Sequence, residues 1–115
     1  MVIMVQVITT DCFNEWFENQ DQLLQEDILA VFIILHEEGP ALGHPLAETV
    51  AGSRFKNMKE LSIDHAGLPF SVFFAFDTRQ RAIVLCPSDN SGVDDKGIYQ
   101  QMITRADAEF SKHLE

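Results

Sequence analysis

Three consecutive stretches decide the fold: Asn57-Met58-Lys59-Glu60-Leu61-Ser62-Ile63, then Phe70-Ser71-Val72-Phe73-Phe74-Ala75-Phe76, then Ala82-Ile83-Val84-Leu85-Cys86. The first alternates, with Lys59, Leu61 and Ile63 on one face and Met58, Glu60 and Ser62 on the other, the period of a strand. The second puts Phe70, Val72, Phe74 and Phe76 on one face and Ser71, Phe73 and Ala75 opposite. The third is apolar throughout and reads as a central strand. Asp64-His65-Ala66-Gly67 and Asp77-Thr78-Arg79-Gln80 are connections of hairpin length, so the three strands pair antiparallel.

Upstream, residues 40–55 carry repeated glycine and proline signals and read as an ordered loop with a short helical turn at 47–50. Before it, Leu24, Ile28, Val31 and Leu35 recur at helical spacing, and Glu37-Glu38-Gly39-Pro40 stops the helix. Residues 28–35 are apolar on every side, so this helix should be buried on more than one face, within its own domain or against a partner chain. A shorter helix precedes it, capped by Thr9-Thr10-Asp11, with Phe13, Trp16 and Phe17 on one side. Residues 2–8 read as a strand. Downstream, residues 87–97 are polar loop, and 97–114 form a helix with Ile98, Met102, Ala106, Phe110 and Leu114 as its core stripe. The layout is α+β: an N-terminal strand, two helices, a three-stranded antiparallel sheet and a C-terminal helix. Two layers and one domain over residues 1–115 are expected.

The formal charge of −10 argues against an evenly spread polyanion-binding surface. Its distribution is uneven. Residues 1–53 hold nine acids and no lysine or arginine, whereas residues 54–81 hold Arg54, Lys56, Lys59, Arg79 and Arg81 against three acids. One central segment therefore carries most of the capacity to meet an anion. A staple between Cys12 and Cys86 is possible on paper, but a domain of this size does not need one, and the two read as buried thiols. The N-terminus lacks the pattern of a signal peptide, and the longest apolar run is far short of a membrane span, so the chain reads as soluble and cytoplasmic. No His/Cys/Asp/Glu cluster has metal-ligand spacing and no nucleotide fingerprint occurs, so no cofactor is expected.

The segment Glu37-Glu38-Gly39-Pro40-Ala41-Leu42-Gly43-His44-Pro45-Leu46-Ala47-Glu48-Thr49-Val50-Ala51-Gly52-Ser53-Arg54 resembles the phage-derived branch of the RelE/HigB toxin superfamily. So do Asn57-Met58-Lys59-Glu60-Leu61, Phe74-Ala75-Phe76-Asp77, and the tail with Tyr99, Met102-Ile103, Ala106-Asp107 and His113-Leu114. The similarity covers nearly the whole chain in one order. It implies a RelE-like fold and the toxin component of a type II toxin–antitoxin module. Many members cleave mRNA on the ribosome without a metal, each held inactive by a cognate antitoxin. Implied partners are thus a helix-turn-helix antitoxin, the ribosome and mRNA, with a homodimer or a toxin–antitoxin hetero-oligomer as the assembly and no membrane.

Metal-free RNA cleavage uses the 2′-OH as nucleophile. It needs a base for that hydroxyl, charge stabilisation at the phosphoryl oxygens, and an acid for the leaving 5′-oxygen. Lys59, Arg81 and Tyr99 are the catalytic candidates, with Arg54, Lys56, His65 and Asp89 as RNA contacts; Tyr99 and Asp89 rest on the resemblance. Bland readings stand beside these: Lys59 can lay its stem along the core edge, His65 can be an exposed turn residue, and Asp89 can close an Asx-turn. The chain departs from the family pattern at Ser62, Ser71 and Asn90, where related toxins carry Arg, Arg and Lys. That departure supports the alternative of a catalytically degenerate relative that acts by binding its antitoxin or another protein.

Overall fold

The computed structural model describes residues 4–88 and 96–115. The elements run β1 (Val7–Thr9), α1 (Asp11–Glu18), α2 (Gln22–Glu38), a single 3-10 turn (Gly39–Ala41), β2 (Ala47–Thr49), β3 (Lys59–His65), β4 (Leu68–Phe76), β5 (Ala82–Ser88) and α3 (Lys96–Leu114). Thr10 caps α1 by accepting from the Phe13 N–H, and Asp21 caps α2 by accepting from the Leu24 N–H. Gly39 ends α2 at φ +57, where a Cβ would also stand 3.0 Å from Val5 Cγ1.

The sheet has five strands in the order β1-β5-β4-β3-β2. The three expected strands form its centre, antiparallel throughout. Two corrections enlarge it. Residues 47–49 are a strand, not a helical turn: Glu48 lies opposite Glu60, and β2 satisfies backbone groups along one edge of β3. The N-terminal strand, shorter than expected, joins parallel to β5, with Val7 opposite Ala82, which makes the sheet mixed. The β3–β4 connection is tighter than read, since Ala66 and Gly67 both take positive φ and form a two-residue turn.

The sheet is also covered on both faces rather than one. Phe13, Leu24, Ile28, Phe32 and Leu35 of α1 and α2 pack on Leu61, Ile63, Val72, Phe74 and Val84. Ile103, Ala106 and Phe110 of α3 pack on Phe73, Ala75, Ile83 and Leu85. Strands apolar on both sides cannot leave either side to water, so three layers replace the expected two. Between Val72 and Phe74 the register with β5 shifts, because Leu85 and Cys86 together oppose Phe73. That bulge lets consecutive residues, Leu85 and Cys86, both join the α3-side core.

Two helical faces differ from expectation. The buried stripe of α3 is Ile103, Ala106, Asp107 and Phe110, while Ile98 and Leu114 are exposed. A strict four-residue repeat drifts around a helix of 3.6 residues per turn, so its ends swing out of the core. On α2, Leu23, Leu29 and Ile33 are exposed, so the chain itself buries only one face of this helix.

Two covered faces make a stability prediction. Phe73→Ala and Phe74→Ala, on opposite sides of β4, should each destabilise by about 3–5 kcal/mol in denaturant unfolding. A sheet with one solvated face would show that loss for only one of them.

Candidate functional site

The α3 face of the sheet gathers polar groups at the two ends of the helix. Near its start, the Tyr99 hydroxyl donates to Glu60 Oε1 at 2.6 Å, and the Ser71 hydroxyl donates to Glu60 Oε2 at 2.7 Å. Strand alternation makes this possible: Glu60 is in register with Phe73, whose ring lies 6.0 Å from that of Tyr99. Burial pushes the Tyr99 phenol up, and the hydrogen bond to Glu60 and the charges of Glu60 and Glu48 push it further. The phenol therefore holds its proton at neutral pH and serves as a donor. Ser62 sits directly opposite Ser71 on the neighbouring strand and is exposed. Both positions where related toxins are expected to carry arginine are thus cross-strand neighbours beside Glu60.

At the far end of α3, buried Asp77 organises the β4–β5 turn. Its Oδ1 accepts from the Arg79 and Arg81 backbone N–H groups, each at 2.9 Å. Its Oδ2 meets Arg81 Nε and Nη2, each at 2.8 Å, and His113 Nε2 at 2.9 Å. Burial opposes a charge there. The bonds from His113, Arg81 and Arg79 outweigh it and hold the Asp77 carboxyl well below the usual carboxylate range. Between the two ends, Asp107 accepts from the Ser53 hydroxyl at 2.5 Å and the Arg54 N–H at 3.0 Å. This fastens the 50–58 loop to α3 and leaves the Arg54 guanidinium over the Phe55 ring.

The candidates read from sequence divide between these places. Tyr99 belongs to the Glu60 cluster. Arg81 belongs to the Asp77 turn beside His113, and from Tyr99 to His113 the helix rises roughly 20 Å. Lys59, half-buried, follows the alternation of Leu61 and Ile63 and so lies on the α2 side of the sheet. His65 is on that side too, with Nδ1 2.7 Å from Asp27 Oδ2 of α2. Arg54 and Lys56 are exposed on the loop held by Asp107. Asp89, and with it Asn90, lies outside the described residues. The structure thus brings Tyr99 together with none of the other described candidates.

Sequence reading gave no site role to Glu60, Asp77, Asp107 or His113, and marked Ser71 only as a departure from the family pattern. Glu60 and Ser71 carried one usable signal: each is a polar side chain sharing a strand face with large apolar residues, Met58 for Glu60 and Phe73 for Ser71. Which helix would meet them was not written there. Among the described residues, no group of three or more His, Cys, Asp or Glu could hold a metal ion, and no helix is long and apolar enough to cross a membrane.

A mixed sheet between a helical pair and one long helix, with a Tyr–Glu–Ser cluster on the long-helix face, is the setting in which the relatives can be considered. Residues 15–111 match the family described as phage derived protein Gp49-like. A Mycobacterium tuberculosis protein that carries the name of toxin HigB2 is 41% identical over 102 residues, covering 88% of this chain and 50% of that protein. A second from that organism, named as toxin HigB3, is 35% identical over 86 residues, 75% of this chain and 74% of that protein. The chain thus spans about half the length of the first relative and three quarters of the second. It belongs to the Gp49-like phage-derived family, within the HigB-like toxins.

The Asp77 network gives a pH prediction. A carboxyl whose folded pKa lies below its unfolded value of about 3.9 adds stability above that pH and loses it as pH falls. Asp77→Asn should cost about 1.5–3 kcal/mol at neutral pH and flatten the acid side of the stability profile. Urea unfolding between pH 7 and pH 2.5 checks both. An unchanged acid limb would remove Asp77 from this role.

Proposed function

We propose that this chain is the toxin member of a type II toxin–antitoxin module, acting in the cytoplasm and held by a cognate antitoxin of helix-turn-helix type. Its α3 face is the RNA-directed surface, and mRNA on the ribosome is the substrate of the reaction class. The observation that carries this reading is the Tyr99–Glu60 pair beside the exposed Ser62. A carboxylate able to accept the proton of a 2′-OH stands 2.6 Å from a phenol that keeps its own proton for a leaving 5′-oxygen. No metal is needed for either transfer. Arg54 and Lys56 are exposed cations on a loop pinned to the same helix and are assigned to phosphate positioning. Arg81, paired with Asp77 in the β4–β5 turn, and Lys59, on the α2 side of β3, are assigned no step of this chemistry.

The surface is under-charged for this chemistry. Ser62 and Ser71 stand where the superfamily resemblance leads one to expect arginines, and Ser71 uses its hydroxyl on Glu60. Developing charge on a phosphoryl oxygen then lacks donors worth about 2.7–4 kcal/mol each by analogy with oxyanion holes. Turnover should therefore be low in the natural sequence. The same serines favour a second reading, a non-enzymatic relative that works through its antitoxin complex.

Induction of the chain alone in a bacterial host separates the two. The first reading expects weak growth inhibition with mRNA cleavage, increased on the order of 100-fold by Ser62→Arg with Ser71→Arg and abolished by adding Glu60→Gln. Absence of cleavage in both natural and double-arginine forms, with a stable antitoxin complex, would establish the second reading instead.

A further inference from the structure

Cys12 and Cys86, 74 residues apart in sequence, lie with their sulfurs 2.9 Å from one another, and both are free thiols. Backbone contacts fix this approach. The Thr10 N–H donates to the Val84 carbonyl at 3.1 Å and the Thr10 hydroxyl to the Leu85 carbonyl at 2.5 Å, holding the first turn of α1 against β5. From the other side, the β5 bulge sets Leu85 and Cys86 together opposite Phe73. The two sulfurs differ in access. Cys86 is 2% exposed, whereas Cys12 is half-buried and lines an open cleft of about 500 Å³. Arg105 and Lys112 stand on that cleft with Glu15 and Glu109. Burial pushes the Cys86 thiol up, and its contact with Cys12 adds to this, so Cys86 keeps its proton while Cys12 meets solutes.

We propose that Cys12 and Cys86 form an oxidant-responsive dithiol, a modification site whose co-reactant is a hydroperoxide and whose product is an internal disulfide between α1 and β5. The Cys12 sulfur, as thiolate, attacks the peroxide; the O–O bond breaks, and water or an alcohol leaves. Cys12 then carries a sulfenic acid. The Cys86 sulfur attacks Cys12, the S–S bond forms, the S–O bond breaks, and hydroxide leaves as water with the Cys86 proton. Two electrons pass from the two thiols to the peroxide, which is consumed one for one. Reaching the ~2.05 Å of a disulfide takes under about 1 Å of closure. The bond would close a loop holding α1, α2 and three strands, which restricts the unfolded chain strongly. A cellular dithiol reductant would reverse it.

The test uses the full chain, reduced, desalted and titrated with hydrogen peroxide. Intact mass should fall by two hydrogen atoms, both thiols should resist alkylation, and a Cys12–Cys86 linked peptide should appear. Dithiothreitol should restore the starting mass, and the oxidised form should melt roughly 10 °C higher. Cys86→Ala should stop at one added oxygen on Cys12. Cys12→Ser, a change on the open cleft that spares the buried site, should leave Cys86 reduced. Wild-type protein that keeps two alkylatable thiols, gains oxygen without losing hydrogen, links only between chains, or melts no higher when oxidised would overturn the proposal.

Discussion

A sheet that is apolar on both faces has to be covered twice, and the rest of this molecule follows from that. Val72 and Phe74 of β4 face one way, Phe73 and Ala75 the other, and β5 repeats the pattern with Val84 against Ile83 and Leu85. Burying a phenylalanine contributes about 1.5–3 kcal/mol, so neither face can stay wet without a cost comparable to much of a domain's net stability. The helical pair from the N-terminal half covers one face. The other falls to α3, the helix that follows β5.

Because α3 must lie across the sheet, its polar residues meet whatever the strands and loops present beneath them. Three carboxylates fix its register: Glu60 under Tyr99, Asp107 with the 50–58 loop, and Asp77 with His113. Each takes hydrogen bonds from a different part of the chain, so sliding the helix by one turn would break all three. The arrangement that stabilises α3 is therefore the same one that builds the Tyr99–Glu60–Ser71 cluster.

The central strands and all three helices could be read from residues 57–86 and from helical spacing, because alternation and capping are local signals. Of the outer strands, the N-terminal one is legible at residues 2–8, though not its parallel place beside β5, and β2 is not legible. Ala47-Glu48-Thr49 is too short to show a period, and it becomes a strand only because the β3 edge lies beside it. The family was readable from the order of several motifs. The site was readable only in part: Tyr99 was found, but its partner Glu60 is 39 positions away on a strand, and no spacing rule joins them. His65 looked like a site residue for its chemistry alone, and the strand's parity turns it toward Asp27 on the opposite face. A link between the two cysteines was only a possibility in the sequence, since contact across 74 positions depends on a cap and a bulge.

The net charge of −10 takes its meaning from this placement. The acids of the first half lie on α1, α2 and the turn between them, except Glu48 on β2, whereas the candidate RNA surface is neutral at Ser62 and Ser71 and negative at Glu60. On this account charge rather than fold limits the protein's action on RNA. The most direct measurement is the salt dependence of affinity for a short single-stranded RNA, compared between the natural chain and the form with Ser62→Arg and Ser71→Arg. The account predicts weak binding by the natural chain and a slope of log affinity against log salt steeper by about 1.4 in the double-arginine form. Equal slopes for the two proteins would mean that RNA does not meet this face, and would contradict the account.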